Sequence, residues 1–155
     1  MCQKNALLSR NCRFGCLDIE SPHHVFVDCP RYAELRNREL DSLFLSVEKR
    51  LLEAKLSPAD QALLLESVKS LFSDSEIVWP LDSALFFLGQ IPKIDPLIPP
   101  HCINNLVNRS RLVHNIASDM HLSSVRLASR IFGDLQKVMS FRHANPSAST
   151  NTSPY

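Results

Sequence analysis

Glycine is scarce in this chain: three residues in 155, against ten prolines. That balance argues against a turn-rich β architecture and for helices joined by stiff connections. Long apolar runs are missing too, so no segment can span a membrane, and no apolar signal segment opens the chain. Neither sign of charge dominates. Seventeen Lys and Arg stand against sixteen Asp and Glu, so no overall basic field announces a nucleic-acid partner. There is no Gly-rich phosphate loop, no His-Glu-x-x-His, no pair of aspartates at polymerase spacing and no internal repeat. Polymerases and nucleases need carboxylates that hold magnesium. The sequence therefore predicts no catalytic residues, no enzyme activity and no small-molecule substrate.

What is present is concentrated chemistry near the start. Three of the five cysteines, Cys12, Cys16 and Cys29, share a short run with His23 and His24. The pattern is Cys-x3-Cys, seven residues, His24, four residues, Cys29. Thiolates and an imidazole at such spacing are what a closed, structural zinc site takes. Gly15 lets the backbone turn so that Cys12 and Cys16 face one metal. Pro22 brings the chain back toward His24, and Pro30 suits the first turn of a helix. His23 competes with His24 for the metal; the four-residue gap to Cys29 favours His24. Three other arrangements fit less of this pattern: ordinary buried thiols, a disulfide with one spare thiol, or a Cys–His nucleophile pair lacking a third orienting group. Cys2 is read as a spare thiol.

Behind this loop the pattern is helical. Leu40, Leu43, Phe44, Val47 and Leu51 repeat at three- and four-residue steps and predict a helix over 31–54. Ser57-Pro58-Ala59-Asp60 reads as the start of a second helix, to about residue 73. Trp79-Pro80 opens a short third helix that ends near Gly89, with Trp79 read as core alongside Phe86 and Phe87. Pro92, Pro96, Pro99 and Pro100 make 91–100 a stiff, extended surface connection. A fourth helix is expected over 101–121, where His114, His121 and Cys102 look inert. A break is expected near Leu122-Ser123, with Ser123 or Ser124 capping a fifth helix. On that helix Val125, Ala128, Ile131, Phe132, Leu135, Val138 and Met139 form the apolar face, and Arg126, Arg130 and Lys137 a basic stripe. Residues 144–155 are small, polar and predicted disordered. The fold class is mainly α: a zinc-stapled loop (1–30), an irregular bundle of about five helices (31–143) and a disordered tail.

The segment also resembles a known family. Cys-x3-Cys, then Glu20-Ser21-Pro22-His23-His24, then Cys29-Pro30-Arg31-Tyr32-Ala33-Glu34-Leu35-Arg36 looks like the zinc-binding segment at the C-terminal end of non-LTR (LINE-type) retrotransposon reverse transcriptases. The departure is the first pair, which that family spaces by two residues rather than three. The strong similarity covers about residues 10–40. Weaker similarity to the tails of such fungal elements follows at Trp79-Pro80, Phe87–Pro92 and Ser124–Gly133. The resemblance implies an upstream polymerase not contained here, so the chain reads as a fragment or truncated copy, with nuclear localisation.

These readings give one main expectation. Structural zinc at Cys12, Cys16, His24 and Cys29 orders a loop, and nearby cations meet RNA or DNA. The cations are Arg13, Arg31, Arg36 and Arg38, with Arg126, Arg130 and Lys137 on the last helix. Residues 97–155 hold six Lys and Arg against only Asp119 and Asp134, which agrees in sign. The alternatives are a zinc-buttressed scaffold that docks on protein, such as the polymerase part of the same element, and a retroelement remnant without a role.

Overall fold

The computed structural model describes residues 11–72, 84–87 and 89–144. It is mainly helical. Helix α1 spans Ala33–Glu53, α2 Pro58–Ser70, α3 Ala84–Phe87 and α4 Leu106–Ala144. A π-helical turn at His24–Asp28 and a 3-10 turn at Pro30–Tyr32 lead into α1, and a second 3-10 turn, Asp95–Leu97, lies in the connection before α4. The described residues form no strand, only one isolated antiparallel bridge, Asn11 to Ile19. No helix among them is long and apolar enough to cross a membrane.

The apolar stripe of α1 faces inward as its spacing requires, with Leu43, Val47 and Leu51 buried. Ser57 caps α2, its Oγ accepting the Asp60 N–H at 3.1 Å, with Pro58 in the first turn. Leu64 and Val68 of α2, Phe86 of α3 and Leu112, Ile116 and Met120 of α4 complete one core cluster with α1. Phe86 meets the edges of Phe72 and Phe87. A second cluster joins Cys12, Val25, Phe26, Cys29 and Tyr32 to Leu127 and Ile131 of α4.

Three expectations about the last helix are corrected. The break at Leu122-Ser123 is absent: α4 is one helix of 39 residues, roughly 58 Å long. Ser123 and Ser124 are buried and point into the bundle, donating to the carbonyls of Glu39 (3.3 Å) and Phe86 (2.9 Å). Their hydroxyls serve neighbouring elements instead of capping a new helix. The same helix starts at Leu106 rather than 101, because Asn105 accepts the N–H groups of Val107 (2.9 Å) and Asn108 (3.1 Å). Its buried line runs through Leu127 and Ile131, leaving Val125, Phe132 and Met139 exposed.

The proline-rich connection is not merely a surface strap either. Ile94 and Ile98 drop into the core, and Arg109 clamps it by donating to Asp95 Oδ1 (2.8 Å), Asp95 O (2.8 Å) and Ile98 O (2.7 Å). Cys2, Ser73–Ser75, Trp79-Pro80 and the tail from 145 onward lie outside the described residues.

Candidate metal centre

A small loop first brings two sulfurs together. Cys12 N–H donates to Asp18 O (2.8 Å) and Gly15 N–H to Cys12 O (3.0 Å), closing the turn. Gly15 sits at φ +87°, a region where a side chain is strained. Glu20 braces the loop from outside, accepting from Arg13 N (2.9 Å) and pairing with its guanidinium. The chain then returns. Ser21 Oγ accepts the His24 N–H at 3.0 Å, and the wide turn that follows is closed by Cys29 N–H to His24 O at 2.6 Å. That turn sets the His24 ring and the Cys29 sulfur toward Cys12 and Cys16.

Ligand atoms of Cys12, Cys16, His24 and Cys29 all lie within 4.8 Å of one another. Cys29 Sγ is 3.9 Å from Cys12 Sγ and 3.8 Å from Cys16 Sγ. Two thiolates at tetrahedral angles on one ion, each ~2.3 Å from it, stand about 3.8 Å apart. His24 is buried, and its Nε2 has no hydrogen-bond partner among the described residues. Its other nitrogen, Nδ1, faces the Asp18 carboxylate at 3.5 Å. A buried imidazole nitrogen left unpaired among three sulfurs is costly unless something binds it. The four residues are thus close enough, and suitably equipped, to hold a metal ion. His23 turns away and pairs with Asp28 at 2.8 Å.

Electrostatics support the same reading of the cluster. Burial would raise the Cys12 thiol, but the Phe14 amide, His24 and the two neighbouring sulfurs outweigh it and bring it down to about 7. Burial and the sulfurs of Cys12 and Cys29 push Cys16 up to about 12, and burial also raises Cys29. Three sulfurs this close cannot all ionise unless a cation sits between them.

The loop is fastened to α4. Arg31 donates to Asp134 Oδ2 at 2.9 Å and Tyr32 OH to the same oxygen at 3.0 Å. Asp134 is held below the usual carboxylate range by Arg31 first, with Tyr32 adding to it. The Arg31 guanidinium also lies over the Phe14 ring, 4.7 Å from its centroid, and Phe26 meets Phe132 edge-on at 5.3 Å.

Four of the seven expected phosphate-binding cations are already engaged or buried. Arg13 is engaged by Glu20, Arg31 by Asp134 and Arg130 by Glu39. Arg36 is buried at 8% exposure, donates to Cys29 O at 3.1 Å and leaves its other terminal nitrogen unpaired. Burial lowers its pKa, which Cys29 and Asp28 partly oppose. Arg38, Arg126 and Lys137 are exposed and make no ion pair among the described residues. Sequence reasoning missed Asp18 and Asp134. Asp18 lies between Cys16 and His24 and was readable as a carboxylate partner for the imidazole; nothing local marks Asp134. It also missed a second trio, Asp60, His101 and Cys102, with ligand atoms within 4.8 Å. There Cys102 donates to Asp60 Oδ1 at 3.3 Å, while the His101 side chain is 71% exposed.

Comparison with protein-family models, with curated proteins and with solved structures finds no match.

Proposed function

We propose that the chain is a zinc-stapled helical binding module, an accessory nucleic-acid-binding part of the retrotransposon type that its N-terminal segment resembles. The observation that carries the reading is the unpaired His24 Nε2 buried within reach of three sulfurs. Cys12, Cys16, His24 and Cys29 would hold Zn²⁺, whose role is to cross-link the loop. Four protein ligands leave no open position, so the metal is structural and no reaction is assigned to it. Zinc with three thiolates and one imidazole carries a net charge of about −1. The buried Arg36 behind Cys29, in no ion pair among the described residues, suits that charge. RNA or DNA would be met by Arg38, Arg126 and Lys137.

One specific observation favours a second reading, a surface that docks on protein. Leu17 is 94% exposed on the metal loop, and Leu122, Val125, Phe132 and Met139 are exposed along α4.

The test begins with metal content. The purified chain is expected to carry one equivalent of zinc, and Cys29→Ser to lose it; a metal-free, folded parent overturns the staple. Titration with single-stranded RNA at several salt concentrations then separates the two readings. Three phosphate contacts give a log–log slope of about −2, whereas a protein-docking face shows no RNA binding at any salt.

A further inference from the structure

At the far end of the bundle a cleft of about 400 Å³ opens between the end of α1, the turn into α2 and the first turns of α4. Its walls are polar and basic. Arg50, Lys55 and Arg111 line it, with the amides of Asn108 and Asn115. Asn108, Arg111 and Asn115 follow at three- and four-residue steps on α4, so they share one face. Arg50 is already occupied, donating to Asp119 (2.8 Å) and pairing with Glu53, the cleft's own carboxylate. Lys55 and Arg111 make no ion pair among the described residues.

Lys55 carries a second, independent sign. Of the described non-glycine residues it alone has positive φ, +55°. It stands just past the end of α1, where helices ordinarily place glycine because any Cβ is strained there. A lysine at that position keeps a strained backbone in exchange for a side chain at the cleft mouth.

We propose that this cleft is a phosphate-binding site, taking the phosphodiester of a single nucleic-acid strand or the phosphate of a free nucleotide. Lys55 and Arg111 supply the charge, and Asn108 and Asn115 supply neutral donors. The volume admits a nucleotide-sized group. The site does not rest on the metal loop, and metal content reports on that loop separately.

The experiment is amide NMR of the full chain titrated with AMP and, separately, with a short oligothymidylate. Shifts centred on Lys55, Asn108, Arg111 and Asn115 are expected. Response to the oligomer alone assigns the site to a strand, and response to AMP as well assigns it to the phosphate itself. Lys55→Gly and Arg111→Gln should each weaken binding about tenfold, the loss expected for one charge-assisted contact. Lys55→Gly should also raise Tm, because the strain is relieved. If Lys55 only complements the carbonyl end of α1, the same change lowers Tm and leaves the titrations alone, which overturns the proposal. Absence of cleft shifts at millimolar probe overturns it as well.

Discussion

Asp18 is mostly solvent-exposed, yet its carboxylate faces His24 Nδ1. A carboxylate in that place holds the imidazole with Nε2 free for a metal. Asp18→Ala should therefore weaken metal binding by about tenfold without changing helix content, measured by competition with a chromophoric chelator. An unchanged affinity would mean that the loop alone orients the ring. The clustering of the four candidate ligands was legible because spacing is local: a turn with Gly15 and a short return from Cys16 to His24 leave few ways to arrange them. The fate of the arginines was not. Arg31 finds Asp134 across 103 positions and Arg130 finds Glu39 across 91, and no window of sequence announces such a pairing. Arg36 was expected among the cations that meet RNA or DNA, but it is buried and donates to Cys29 O in the turn before its own helix.

Among the elements, the connection between α3 and α4 shows how one side chain can replace regular structure. The prolines in it remove backbone donors, so carbonyls such as that of Ile98 take partners from another element. Arg109 supplies them from α4, reaching two backbone carbonyls and one carboxylate within 2.8 Å. Its side chain is only 16% exposed. Arg109→Ala should cost about 3 kcal/mol of stability, from charge-assisted bonds lost and the Ile98 carbonyl left without its donor. The readout is the midpoint of urea unfolding; a change below about 1 kcal/mol would show that Ile94 and Ile98 hold the segment unaided. Helices α1 and α2 were readable from stripe and cap. The continuity of α4 was not, because a pair of serines is the same sequence signal whether it caps a helix or reaches inward to a neighbour's carbonyl. No glycine or proline stands between Leu106 and Phe132 to force a stop.

Across the whole molecule, two apolar clusters hang on one helix. The larger joins α1, α2, α3 and the first half of α4; the smaller seats the Cys/His loop on the second half. The larger contains none of the four candidate ligands. Stripping metal with a chelator should accordingly free the loop and spare the bundle. Hydrogen exchange is expected to show protection lost at the amides of Cys12 and Cys29 and kept at Val47 and Met120. Loss at all four would mean that the metal holds the entire domain.

The separation between Arg31 and Asp134 also bears on how the chain is made. The loop leaves the ribosome some hundred residues before the stretch of α4 that covers it. At ~5–20 residues per second that is a wait of roughly 5–20 s. Throughout it Cys12, Cys16 and Cys29 lack that cover, and an ion captured early would shield the thiols until their apolar seat arrives.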